Sequence, residues 1–173
     1  MQEICAVIAA GGLGTRLKNY KNNFSTKVLI EIGSKSMISS QVSQISSWGI
    51  KNFVIITNPD FDLMIKEDVI KNHPDKNIKF AIQEKPLGIA HALLQSKKLV
   101  QNYAKILFVL GDNFFGENPM LKLENRNFES MIFLKKVLNP NEFGVAKILN
   151  NNLIDIEEKP DNPSSDLAVV GLY

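Results

Sequence analysis

Short apolar runs separated by helix-like stretches set the rhythm of the first part of the chain. Ile4–Ala9, residues 53–56 and residues 106–110 are apolar without alternation, and residues 78–82 are apolar but for Lys79. Runs of that length predict strands buried on both faces, as in a parallel sheet. Between the first two, Met37, Ile38, Val42, Ile45 and Trp48 recur near helical spacing, and Gly49 stands where a helix should end. Residues 61–72 read as a second helix that stops before Pro74, and residues 90–100 as a third. Strand and helix alternate, so the expected fold class is α/β: a three-layer, Rossmann-like, mostly parallel sheet covered on both faces by helices.

After Gly116 the rhythm changes. Residues 130–136, 143–149, 153–158 and 167–173 all read as strands with little helix between them, and Asn150-Asn151-Asn152 is a turn signal because Asn tolerates positive φ. This segment is expected to be a mixed-sheet C-terminal extension of the same core. The whole, 173 residues, has room for one domain and no repeat or low-complexity linker divides it.

Composition narrows the function classes. Hydrophobic residues make up 45% and charged residues 22%, which is the balance of a globular chain rather than a disordered one. The formal charge is only +2 and the lysines are scattered, so no basic stripe calls for a nucleic acid, and a small anionic ligand is the simpler expectation. Cys5 is the sole cysteine and cannot form an internal disulfide. No apolar run approaches the roughly 20 residues that span a bilayer, and no basic leader precedes the first strand. A cytoplasmic location with no membrane partner is expected.

The sharpest chemical feature is Ala9-Ala10-Gly11-Gly12-Leu13-Gly14-Thr15-Arg16-Leu17, directly after the first strand. In an open parallel sheet, ligands bind beyond the carboxyl ends of the strands, and glycines there let backbone N–H groups approach phosphate oxygens. A Walker-type loop fails the spacing test, since five residues after Gly12 stands Leu17 and no Gly-Lys pair follows. A dinucleotide fingerprint fits Gly12 and Gly14, but Leu17 occupies the third small position and Ile56-Thr57-Asn58 offers no acid for a ribose. What the loop does offer is Arg16, with Lys27 following in Ser25-Thr26-Lys27-Val28-Leu29. These are two cations beside a phosphate-sized nest.

This loop resembles the signature of the sugar-phosphate nucleotidyltransferases, most closely the glucose-1-phosphate thymidylyltransferases and their uridylyl relatives. The resemblance implies that Arg16 and Lys27 hold a triphosphate and that Ala10, Gly11, Gly12, Gly14 and Thr15 form its cradle. Gln83-Glu84-Lys85-Pro86-Leu87-Gly88 resembles the family segment that faces a pyrimidine, with Gln83 on the base edge and Gly88 giving it backbone room. A side-chain amide suits that task because it both donates and accepts. Leu110-Gly111-Asp112-Asn113 resembles the metal-binding segment, which makes Asp112 the candidate ligand for Mg²⁺. Mg²⁺ takes few protein ligands, and with Asp112 alone it would rely on phosphate oxygens and water for its other positions, giving a weaker and less ordered site. Phe143-Gly144-Val145, Glu157-Glu158-Lys159-Pro160 and Val169-Val170-Gly171 resemble the sugar side. The resemblance implies that Gly144, Glu158, Val170 and Gly171 line the sugar and that Lys159 contacts its phosphate.

These motifs in family order imply a nucleotide half over residues 1–116 and a sugar half over 117–173. The implied reaction joins a nucleoside triphosphate, dTTP or UTP, to a sugar 1-phosphate and releases pyrophosphate. The family pattern continues past this point with a second metal-binding aspartate, so the sugar half reads as truncated. Weak turnover and homo-oligomer formation through unpaired strands are expected. Two other readings stay open: a nucleotide-binding module with little catalysis, and a nucleotidyltransferase for a non-sugar phosphorylated acceptor. His73 and His91 have no partner at metal-ligand spacing and read as structural or solvated, though packing of His91 near the base stays open. Cys5, in mid-strand, reads as a small buried hydrophobe.

Overall fold

The computed structural model describes residues 4–12, 26–123, 129–150 and 152–173. Residue contacts divide the chain into two compact units, 1–125 and 126–173.

The first unit is the expected α/β layer. Strands β1 (Ile4–Ala9), β4 (Asn52–Thr57), β5 (Asn77–Ile82) and β6 (Lys105–Leu110) form one parallel sheet in the order β5-β4-β1-β6. A two-stranded hairpin, β2 (Glu31–Ile32) and β3 (Lys35–Ser36), lies in sequence between β1 and helix α1 (Met37–Ser47). Helices α2 (Asp62–Asn72), α3 (Ile89–Gln95) and α4 (Lys97–Val100) complete the unit. The crossovers from β1 to β4 and from β4 to β5 step the same way, whereas β5 to β6 returns across the sheet. Right-handed crossovers therefore put α1 and α2 on one face, where they pack together, and α3 with α4 on the other, where α3 meets β1 and β4.

The core follows the apolar runs. Residues 5–8 of β1 and 53–56 of β4 are essentially sealed from solvent, together with Ile38, Val42 and Ile45 of α1 and Ile65 and Val69 of α2. Each Val, Ile or Phe among them contributes about 1.5–3 kcal/mol by leaving water. Cys5 is among them, buried as expected. β5 departs from the expectation: as the edge strand its residues are half-exposed or exposed. The helix expected over 90–100 is interrupted at Ser96, which is buried and whose hydroxyl donates to Leu93 O at 2.7 Å. That back-bond competes with the helical ladder.

Helix α1 begins as its sequence allows. Ser36 is the N-cap, its Oγ accepting from Ser39 N at 3.1 Å. The helix ends at Trp48 before Gly49, whose φ of 90° is left-handed.

In the second unit, β7 (Leu134–Lys136), β8 (Gly144–Leu149), β9 (Asn152–Glu158) and β10 (Leu167–Val169) pair with one another in the order β7-β10-β8-β9. Every pairing is antiparallel. The C-terminal extension is thus a sheet of its own rather than a widening of the parallel one. Asn150, at the β8–β9 turn, has φ 50°, the conformation for which Asn is suited. Among the described residues no helix is long and apolar enough to cross a membrane.

Candidate functional site

The chain reverses direction across the sheet between β1 and β6, the topological switch point at which open α/β sheets bind ligands. A cavity of about 500 Å³ opens beyond the carboxyl ends of these strands, a volume suited to a small-molecule ligand. Its lining includes Gly11, Gly12, Lys27, Gln83, Gly88 and Asp112, all drawn from the sequence motifs. Four separate segments are brought to one place.

Backbone bonds fix each wall. Ala10 N donates to Ile56 O at 2.8 Å, and Gly111 N donates to Ala9 O at 2.9 Å, so the chain leaves β1 held on both sides. Ala10 itself is buried beneath the wall. The side chain of Asn58 donates to Gly11 O at 3.0 Å, and Gln83 N donates to Thr57 O at 2.8 Å. Gly11 is tight: a Cβ there would lie 3.2 Å from Thr57 O and 3.3 Å from Gln83 Oε1. Gly12 would admit one freely, with open space on its outer side. Gly88 has φ 96°, which side-chain-bearing residues rarely adopt, and begins α3.

The charged corner consists of Lys27 and Asp112. Thr26 is extended, a single 3-10 turn over Lys27–Leu29 follows, and burial of Val28 and Leu29 anchors that turn. Lys27 Nζ consequently reaches Asp112 Oδ2 at 2.9 Å. Both side chains remain a little over two-fifths exposed, at 44% and 42%, so the pair is within reach of ligand and solvent.

Three residues that shape this corner escaped the sequence reading. Gly111 permits the closest approach in the site, since a Cβ there would lie 2.7 Å from Ala9 O and 3.3 Å from Ala10 Cα. Gln41, fully buried on α1, donates from Nε2 to Leu110 O and to Asn113 O, both at 2.8 Å, and so clamps the segment that carries Asp112. Gln44 supports it one turn on, donating to Phe115 O at 2.6 Å and accepting from Phe115 N at 3.2 Å. A sequence signal existed for Gln41: it is a polar residue on the apolar face of its helix, between Ile38 and Val42.

Gly14, Thr15 and Arg16 lie outside the described residues. The sugar-side candidates all belong to the second unit. Gly144 pairs with Glu158 across the β8–β9 ladder, and a Cβ on Gly144 would lie 3.2 Å from Glu158 Oε2. Lys159 follows with left-handed φ of 45°, its N–H donating to Phe143 O at 3.0 Å and its Nζ 3.9 Å from Glu158 Oε1. Val170 N donates to Phe133 O at 3.1 Å, and Gly171, at φ 60°, bends the chain so that Leu172 O accepts from Phe133 N at 3.3 Å. Burial pushes the Tyr173 phenol above its ordinary value of 10.0, and the charge of Glu158 pushes it the same way.

The family model for nucleotidyl transferase matches residues 5–173, which is the whole of this architecture. The chain belongs to the nucleotidyl transferase family. Among its relatives, the glucose-1-phosphate thymidylyltransferase of Neisseria meningitidis is 34% identical over 96% of this chain and 59% of its own length. That of Streptomyces griseus is 30% identical over 97% of this chain and 48% of its own. The chain thus spans about half to three-fifths of the length of these curated relatives. A crystal structure of a candidate glucose-1-phosphate thymidylyltransferase from Bacillus anthracis, in complex with sucrose, superposes with a TM-score of 0.86 and 31% identity. It is matched over 98% of this chain and 70% of that one. Parallel sheet and antiparallel extension are therefore the family's fold.

Proposed function

We propose that the chain is a sugar-phosphate nucleotidyltransferase domain that joins a pyrimidine nucleoside triphosphate, dTTP or UTP, to a sugar 1-phosphate and releases pyrophosphate. The observation that carries the reading is the cavity at the switch point, where Gly11 and Gly12, the Lys27–Asp112 pair, and Gln83 with Gly88 line one volume. Phosphate cradle, charge and base wall are the parts a nucleotide needs. The names of the relatives support the same substrate class.

In this reading a phosphate oxygen of the sugar 1-phosphate attacks the α-phosphorus while the bond to the bridging oxygen of pyrophosphate breaks. No protein nucleophile takes part, so the protein contributes position and charge neutralisation. Lys27 and Arg16 offset charge on the departing pyrophosphate, and Lys159 orients the attacking phosphate. Gly144, Glu158, Val170 and Gly171 contact the sugar; Ala10, Gly14 and Thr15 complete the phosphate loop.

The donor set at Asp112 fits Mg²⁺. It is a half-exposed carboxylate at a strand end, already facing a cation in Lys27, and it lines the same cavity as Gly11 and Gly12. Asp112 would hold the ion, which when bound supplies charge to phosphate oxygens. Lys27 must then release Asp112 and turn to the phosphates, which its exposure allows. We assign the chain to the cytoplasm, in keeping with its lone buried cysteine.

The test is release of pyrophosphate from a panel of nucleoside triphosphates and phosphorylated acceptors in Mg²⁺. Release that requires both dTTP or UTP and a sugar 1-phosphate supports the reading. Release with a non-sugar acceptor alone moves the substrate class, and tight nucleotide binding without release makes the chain a binding module.

A further inference from the structure

The amide of Gln83 is held more firmly than a base contact alone would need. Its Nε2 lies 3.2 Å from Gly88 O and 3.1 Å from His91 Nδ1, the latter one turn into α3. A carbonyl oxygen only accepts, so Gly88 fixes which end of the amide carries the hydrogens. The reverse orientation would set two oxygens against each other at about that 3.2 Å separation. With one N–H given to Gly88, the other meets the His91 ring, which must answer with a lone pair on Nδ1 and keep its proton on Nε2.

The opposite edge of the ring raises a competing demand. Gln95 Nε2, which donates to His91 O at 3.0 Å, also stands 3.3 Å from His91 Nε2. A neutral imidazole has one lone pair for these two donors. Gln83 is only 8% exposed, whereas Gln95 is partly exposed and can turn to water instead. The shorter contact, 3.1 Å, and the costlier desolvation both assign the lone pair to Gln83.

Gln83 is then left with Oε1, to which no described residue donates. This oxygen points to Gly11, 3.3 Å from the place where a side chain there would begin. Toward the cavity Gln83 is an acceptor only.

We propose that His91 is a positioning residue that locks the Gln83 amide and makes the cavity select, among pyrimidines, those that present an N–H. Uracil and thymine carry a hydrogen on N3, whereas cytosine presents a lone pair there and would face Oε1 acceptor to acceptor. The inference rests on the proposed role of Gln83 as a base contact and adds the residue that sets its polarity.

Calorimetry on the full chain tests it with UTP, CTP and inorganic tripolyphosphate, in the wild type, His91→Leu and His91→Asn. Leucine keeps the helix and removes the acceptor; asparagine restores an acceptor near the position of Nδ1. A melting curve for each variant verifies that it is folded. The wild type is expected to bind UTP at least about tenfold more tightly than CTP, the factor a lost hydrogen bond against a buried partner brings. In His91→Leu the ratio falls to about threefold or less, in His91→Asn it recovers, and tripolyphosphate binds all three alike. A ratio unchanged in His91→Leu overturns the role of His91 while leaving Gln83 as the base contact. UTP binding no tighter than tripolyphosphate to the wild type overturns both.

Discussion

Lys27 Nζ donates to Asp112 Oδ2 at 2.9 Å, joining two residues 85 positions apart in the chain. The pair couples the segment after the glycine loop to the end of β6, and under the proposed function its halves carry opposite duties: one for phosphate, one for metal. An exposed pair of this kind is worth about 0–1 kcal/mol to the fold, so its purpose is not stability. Asp112→Asn should therefore melt within a few degrees of the wild type while Mg²⁺-dependent pyrophosphate release falls about 100-fold or more. Release that remains at wild-type level across a Mg²⁺ titration would remove Asp112 from the metal site.

Gly111→Ala probes the packing beneath that pair. The new Cβ would start 2.7 Å from a backbone oxygen, Ala9 O, which a side-chain rotation cannot relieve. The expected cost is about 1–3 kcal/mol in urea unfolding, with weakened nucleotide binding because β1 and β6 must part at the wall of the proposed nucleotide cavity. A variant as stable as the wild type would show that the two strand ends have room to separate.

Arg16→Ala should lower turnover about 100-fold or more without changing the unfolding midpoint, since a charge-assisted contact that strengthens in the transition state is worth a few kcal/mol. Unaltered pyrophosphate release would exclude Arg16 from the reaction.

A pH effect on stability follows from His73, buried at the end of α2 with Nε2 2.9 Å from Ser39 O. Burial pushes its pKa below the ordinary 6.5; the bond to Ser39 opposes this, the charge of Lys35 adds to it, and Asp75 and Asp68 oppose it. The folded chain resists a proton that the unfolded chain accepts near 6.5, so this contribution is present above that value and is lost as pH falls through the lower folded value. Urea midpoints should decline from about pH 7.5 to about pH 5, and His73→Gln should flatten the decline. An identical decline in the variant would assign it to other groups.

Much of this was legible because parallel strands announce themselves: residues 5–8 and 53–56 are apolar throughout since both faces of β1 and β4 are covered. Their order, with the glycines after the first, was enough to expect a ligand beyond the carboxyl ends of the strands, whereas the switch point itself depends on the spatial order β5-β4-β1-β6. What pattern could not convey was distance. Gly111 resembles any glycine before an aspartate until a Cβ is placed against Ala9 O. Gln41 resembles a flaw in an apolar helix face until its two bonds to the Asp112 segment are seen. The second unit was harder to read, because strands with exposed faces pair according to partners that no local pattern names. β9, exposed along nearly its whole length, is the extreme case.

The proposed reaction passes the α-phosphorus of a pyrimidine nucleotide to a sugar phosphate. The most direct measurement follows ³²P placed at the α-position of UTP or dTTP, incubated with the chain, Mg²⁺ and a panel of sugar 1-phosphates, with the products separated by chromatography. The account predicts label in a nucleotide sugar, formed only when a sugar 1-phosphate is present and accompanied by unlabelled pyrophosphate. Label that remains in the nucleotide with every acceptor, or that appears in the phosphate released, would contradict it.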